Sequence, residues 1–276
     1  MMASPPRGRV VYRHSVATRV THWFVTLAIV VLVMSGLQIF NAAPYLDASG
    51  ITNPAHRVLE MSAHRDSATG RPVGTTSLFG HAFTTTNVMG YADDGQGGAS
   101  PRGFAGYLTF PAYQDLAAGR HFHFFFGWVM LVFGAAYLVA NLVRKDLRLL
   151  ILRPADLPKL WPMQAYYLRL RREPPAHGKY NPLQKAGYTG LIFFLLPFSI
   201  LTGLAMSPGI DSTWPWILPL LGGRQFARTW HFLSMSSVVA FTIGHVLLVI
   251  STGFRNNMRS ITVGTYRLGD HEGTGA

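Results

Sequence analysis

The chain has no cysteine in its 276 residues. That excludes disulfides, thiolate-held iron–sulfur clusters and a haem attached covalently through Cys-x-x-Cys-His. Acidic residues are also scarce, 12 against 24 Lys and Arg, and charged residues of both signs make up only 13% of the sequence. No glycine-rich dinucleotide fingerprint, phosphate-binding loop or useful internal repeat is present. Chemistry that needs nucleotide, molybdenum, nickel or a sulfur substrate would therefore belong to another polypeptide.

What the chain has in abundance is apolar sequence, 49% of residues. Four runs, at about 20–40 (apolar from Trp23), 121–143, 186–206 and 229–254, are each long enough to cross roughly 30 Å of hydrocarbon as a helix. The first run is long and lacks a small-residue cleavage site, so it reads as a span and not as a signal. Pro197 inside the third run predicts a kink. The expected fold is an all-α, four-helix membrane bundle, one domain over residues 1–276, with a long extracytoplasmic loop at 41–118 and an inner connection at 144–185.

Basic residues set the orientation. The segment before the first span, the 144–185 connection and the segment after the fourth span together hold 17 basic and 5 acidic residues, whereas the rest of the chain is neutral. By the positive-inside tendency both termini and the 144–185 connection are cytoplasmic, in a bacterial inner membrane. The net charge of +12 thus reports topology more simply than nucleic-acid binding.

The connections differ in character. The outer loop is rich in Gly, Thr and Pro, contains Asp93–Gly98 as a low-complexity run, and is a candidate docking surface. Gly106–Pro111 is a candidate short strand. Leu157–Arg172 mixes aromatic and basic residues in the manner of a headgroup-region segment, and Trp214–Pro219 is short and Pro-broken, suited to the interface.

Ionisable residues inside a lipid-spanning helix are costly and mark function, and neutral imidazole is a common axial ligand of haem iron. His231 and His245 both fall in the fourth span. Fourteen residues at about 100° and 1.5 Å each put them on one helix face, about 21 Å apart along the axis. His22 opens the first span from the inner side, and His121 and His123 open the second from the outer side. Pairing by depth gives His22 with His245 and His123 with His231, enough for two six-coordinate irons. His121 and His123 point about 200° apart, so one of them at most can serve. The alternative for all four is a core histidine bonded to a neighbouring helix.

Three of these histidines follow an arginine by three positions: Arg19, Arg120 and Arg228 precede His22, His123 and His231. Each arginine then lies one turn nearer the membrane surface, where haem propionates would emerge and accept charge-assisted bonds. Arginines that flank spans also snorkel to headgroups without a cofactor. The spacing selects His123 over His121. His56, His64 and His81 in the outer loop have no ligand-like spacing, and His177 and His271 are expected at the solvent.

Arg19-Val20-Thr21-His22-Trp23 with Met34-Ser35-Gly36 resembles the first helix of the prokaryotic cytochrome b561 and Ni,Fe-hydrogenase-type cytochrome b superfamily. Asp115–Arg120 leading into His123–Trp128, Asn181–Lys185 and Arg228–Phe232 resemble more specifically its thiosulfate-reductase-type branch. The resemblance implies two haems b held by His22, His123, His231 and His245, and a chain that carries electrons between membrane quinone and an extracytoplasmic redox subunit of molybdopterin type. By the same analogy Asn181, Gln184 and Lys185, at the inner end of the third span, and His14 at the same level before the first span are quinone candidates, although a polar helix entrance explains them equally. Two other readings stay open: a self-contained b561-like oxidoreductase that reacts directly with a small oxidant such as superoxide, and a haem-free membrane anchor.

Overall fold

The structure, a computed structural model, describes residues 10–178 and 180–267. Four helices are long and apolar enough to cross a membrane: α1 (Val16–Phe40), α2 (Leu116–Val143), α3 (Pro182–Ala205) and α4 (Arg224–Ser251). Each starts before its apolar run, and at α1, α2 and α3 a polar cap extends the helix. The Ser15 hydroxyl accepts from the Thr18 amide at 3.1 Å, and the Asp115 carboxylate accepts from the Ala118 amide at 2.9 Å. At α3 the Asn181 and Gln184 side chains each accept from the other's backbone amide, and Pro182 occupies the first helical position.

The fourth helix stops earlier than its apolar run. Gly253 adopts φ 109°, which breaks the ladder, and Phe254 begins a separate amphipathic helix, α5 (Phe254–Thr262). Near Pro197 the helix is continuous but widens to π geometry over Leu191–Leu195. Pro197 has no amide to donate and its ring crowds the carbonyl four residues back, so the ladder adjusts in the preceding turn.

The chain divides into two compact units. The first comprises residues 1–24, 132–196 and 238–276. Here β1 (Val10–Tyr12) pairs antiparallel with the last strand, Thr265–Arg267, Arg13 lies over the Tyr266 ring at 4.2 Å, and the Phe24 and Phe133 rings stack at 4.0 Å. The inner connection is not irregular throughout. Pro154–Lys159 forms a 3-10 helix and Leu160–Tyr167 an α-helix that buries Met163 and leaves Trp161, Leu168 and Leu170 exposed.

The second unit comprises residues 25–131 and 197–237. Its segment between α1 and α2, expected as loop, carries most of the strands of this mainly helical protein. After β1, strands β2 (Tyr45–Asp47), β3 (Arg57–Arg65), β4 (Pro72–Leu78) and β5 (His81–Thr84) form an antiparallel sheet in sequence order. A hairpin of β6 (Met89–Asp93) and β7 (Ala99–Phe104) follows, turning through the Asp94–Gly98 run. The terminal strand Thr265–Arg267 is β8. Gly106–Pro111 is not a strand: Gly106–Leu108 is a 3-10 turn, tied by the Thr109 hydroxyl and ended by Pro111, which has no amide for a ladder.

This β region is joined to the helices by apolar and polar contacts. Phe40 of α1, Phe104 of β7 and Phe232 of α4 meet with ring centres 4.9–6.5 Å apart, over buried Leu46 and Met61. Burying an aromatic of this size is worth about 1.5–3 kcal/mol. The Asn41 side chain pairs with both backbone groups of Phe104. In the 206–223 segment, Ile217 and Leu218 pack on Ala205 and Ala227, while Trp214 and Trp216 stay exposed.

Asn181→Ala removes the cap of α3 and is expected to cost about 1 kcal/mol. A lowered thermal midpoint of the detergent-solubilised protein is the measurement that checks it.

Candidate functional site

The inner pair lies within the first unit. His22 of α1 faces His245 of α4 with ring centres 6.5 Å apart and planes inclined at 52°. Aromatic rings flank both: Trp23 meets His22 edge-on at 5.3 Å, and Phe241 stacks on His245 at 6.0 Å. The outer pair lies within the second unit, where His123 of α2 faces His231 of α4 at 6.1 Å and 72°. His121, two residues from His123, is exposed and belongs to neither pair.

These separations are informative. Metal–imidazole bonds of about 2 Å, plus about 1 Å from each nitrogen to its ring centre, set two axial imidazoles of one metal about 6 Å apart. Among the described residues no three His, Cys, Asp or Glu side chains gather to hold a metal ion. Each pair has a separation suited to two imidazoles on one metal, and the remaining coordination positions would have to come from a macrocycle such as haem.

Hydrogen bonds assign the outer imidazoles their tautomers. His231 Nδ1 is 3.0 Å from the Ser199 carbonyl, which can only accept, so Nδ1 carries the proton. The Thr202 hydroxyl, 3.1 Å from the same nitrogen, already donates to the Phe198 carbonyl. At His123 the partner is Ser35 Oγ at 3.1 Å, whose own proton goes to the Val31 carbonyl at 2.6 Å. In both rings Nδ1–H is thus engaged and the Nε2 lone pair is left for a metal, the usual arrangement of a ligating histidine.

Two glycines let neighbouring backbone come close to these rings. A Cβ on Gly36 of α1 would stand 3.3 Å from His123 Cε1, and one on Gly203 of α3 would stand 3.1 Å from His231 Cε1. A side chain at either position would press on the imidazole. The triplet Met34-Ser35-Gly36 was legible as a motif, and its content is now specific: Ser35 orients His123 and Gly36 makes room for it. Ser199, Thr202 and Gly203 do the same for His231 with no signal in the sequence beyond small polar residues in an apolar helix.

The three arginines behave differently from one another. Arg19 donates to the Thr262 carbonyl of α5 at 2.7 Å, while its buried Nε has no partner. Arg120 is exposed at the start of α2. Arg228 donates to the Ala43 carbonyl and lies over the Phe40 and Tyr45 rings, each 5.1 Å away. Of the quinone candidates, Asn181 and Gln184 form the α3 cap, and Asn181 also donates to the Tyr167 hydroxyl at 2.9 Å. Lys185 pairs with Asp156 at 3.0 Å, and its ammonium holds that carboxyl below the usual carboxylate range. His14 is half-buried, its backbone amide near the Gly264 carbonyl at 3.4 Å. These bonds are those of a helix entrance. His56, His64 and His81 are exposed, as is His177; His271 lies outside the described residues.

The family model for prokaryotic cytochrome b561 matches residues 13–264. A probable Ni/Fe-hydrogenase B-type cytochrome subunit of Azotobacter vinelandii is 29% identical over 163 residues, 54% of this chain and 68% of that protein. A protein of the same description from Cupriavidus necator is 34% identical over 114 residues, 38% of this chain and 47% of its own length. A putative protein-methionine-sulfoxide reductase subunit, YedZ1, of Azospira oryzae is 25% identical over 240 residues, 84% of this chain and 86% of that one.

Ser35→Ala removes the Ser35 hydroxyl from His123 Nδ1–H and leaves the Leu32 carbonyl as its remaining acceptor. Losing such an outer-shell partner is expected to weaken metal-centre binding on the order of tenfold, read as faster transfer of one haem to an apo-globin acceptor.

Proposed function

Because the chain belongs to the prokaryotic cytochrome b561 family, whose b-type cytochromes imply haem b, we propose that it is a di-haem membrane subunit carrying electrons between quinone and an extracytoplasmic redox partner. Residues 1–276 act as one cytochrome domain, with His22 and His245 as ligands of the inner haem and His123 and His231 as ligands of the outer. The observation that carries this reading is the spacing of the two pairs, 6.5 and 6.1 Å between ring centres. Bound haem supplies a one-electron ferric/ferrous couple and nothing else the reaction needs.

The chain's own residues do the rest. Ser35 and the Ser199 carbonyl hold the outer imidazoles in the Nδ1–H form, so that Nε2 donates to iron. Arg19, Arg120 and Arg228, each one turn before a ligand, supply positive charge toward propionates. Apolar helix faces keep water from the metal positions and so keep ligand exchange slow. Basic residues at the N-terminus, in 144–185 and after α4 favour an inner-membrane orientation with both termini cytoplasmic. Quinone exchange then belongs at the His22/His245 end, where His14, Asn181, Gln184 and Lys185 stand. The β region of residues 45–104 would meet the partner outside.

Two relatives bear names of complex subunits, a Ni/Fe-hydrogenase cytochrome and a reductase subunit. A catalytic partner, of molybdopterin or nickel–iron type, is therefore part of the proposal. A neighbouring gene for such a subunit that copurifies with this chain would support it, whereas rapid quinol oxidation by the isolated chain with a small soluble oxidant would favour a self-contained oxidoreductase.

Purified protein is expected to contain two haems b per chain by pyridine haemochromogen assay. His123→Ala and His245→Ala should each hold one, and His121→Ala should hold both; quinol should no longer reduce the outer haem in His245→Ala. Protein without reduced b-type absorption would sink the reading, and loss of a haem from His121→Ala but not from His123→Ala would reverse the outer assignment.

A further inference from the structure

Arg102 of β7 is the most deeply buried cation of the second unit, 4% exposed. Its guanidinium donates to the carbonyls of Asp93 and Ala112 at 3.2 and 3.1 Å, to the Thr109 hydroxyl at 3.2 Å and to Gln38 Oε1 at 3.3 Å. Four of its five N–H groups are thereby used, and the fifth, Nε–H, is buried with no partner. No carboxylate lies within ion-pair distance of it among the described residues, although Asp93 and Asp94 act on it through space. A buried cation with an unused donor and no anion is a costly arrangement unless an anion joins it.

Its position says which anion. Gln38, which holds the guanidinium, is 1% exposed and sits on α1 one turn beyond Ser35, the residue bonded to His123. From the other side, α2 brings Gly119 so near that a Cβ there would be 3.0 Å from Gln38 Cγ, and Gly119 is one turn before His123. Both helices thus place Gln38 one turn along from the Ser35/His123 contact, and Arg102 is bonded to that Gln38. Among the described residues the buried, unpartnered Nε recurs at one other arginine, Arg19, one turn before His22.

We propose that Arg102, delivered by the β region and not by a membrane helix, adds its positive charge to that of Arg120 and Arg228 beside a propionate of the outer haem and raises that haem's reduction potential. It acts on the iron through charge and so is a tuning residue, not a ligand. This rests on the two-haem reading above. A consequence is that the β region is electrically part of the outer redox centre.

The test is potentiometric titration of the full-length protein, with the outer haem identified as the one missing from His123→Ala. Arg102→Gln should shift the outer haem's reduction equilibrium about tenfold toward the oxidised form, 59 mV for a one-electron couple, and leave the inner haem unchanged. Arg102→Lys, which keeps the charge, should stay near wild type, and Arg57→Gln, a paired cation of the same β region, should leave both potentials unchanged. Should Arg102→Gln fail to fold, redox-difference infrared spectra of 15N-arginine-labelled wild type and Arg102→Lys replace it. A guanidinium band at the outer haem's potential, present in wild type and absent in Arg102→Lys, is then expected. Two bound haems with an unmoved outer potential in Arg102→Gln, or no such band, overturns the inference; fewer than two haems in wild type instead overturns the reading on which it rests.

Discussion

Each imidazole of the outer pair is oriented by a hydrogen bond from Nδ1 to a neighbouring helix. The Ser199 carbonyl and the Ser35 hydroxyl accept from Nδ1–H of His231 and His123, which leaves Nε2 of each ring as its lone-pair nitrogen. In an apolar helix a ring nitrogen without such a bond would cost several kcal/mol and would turn toward any available acceptor. The bond therefore satisfies a polar group and aims a ligand at once. Gly36 and Gly203 follow from the same requirement, because a ring tethered to the next helix needs that helix close.

The same constraint explains why the β region is tied so firmly to helix ends. Asn41 closes α1 onto Phe104, the Thr229 hydroxyl donates to the Asp47 carbonyl, and Arg228 caps the Ala43 carbonyl. These contacts sit one to two turns from Ser35, His123 and His231. A loop free to move there would expose the ends of α1, α2 and α4 to water and loosen the rings' supports. Its folding as sheet and hairpin satisfies its backbone internally and leaves side chains, Phe104 and Arg102 among them, to face the helices.

Long apolar runs made the four helices legible, since length and hydrophobicity are local properties. That His22 lies near His245 and His123 near His231 follows the same way, because 3.6 residues per turn and the alternating direction of successive helices set which histidines share a level. The helices begin several residues before the apolar runs, since Ser15, Asp115 and Asn181 are caps whose effect is extension of the helix past the run. The β region was not legible. Its strands are short, interrupted by Gly and Pro, and paired partly through register shifts, so alternation never persists long enough to stand out. Gln38, Ser199 and Thr202 were invisible for another reason: a small polar residue in an apolar helix has meaning only when its partner on another element is known.

Charge completes the account. Where this protein stabilises a cation with its own acids it does so plainly, as Arg57 does with buried Asp47 and with Glu60, whose carboxylates hold the guanidinium above its ordinary basicity. Arg19, Arg102, Arg120 and Arg228 have no such carboxylate among the described residues. Carbonyls and aromatic faces solvate three of them without neutralising them. Among the described residues no acid forms an ion pair with these arginines, although Asp93 and Asp94 act on Arg102, and Asp47 on Arg228, through space, so each has room for negative charge brought by something else. On the proposed reading two haem propionates would bring it, and the 6.1 and 6.5 Å ring separations of the neighbouring imidazole pairs fit two ligands of one iron each.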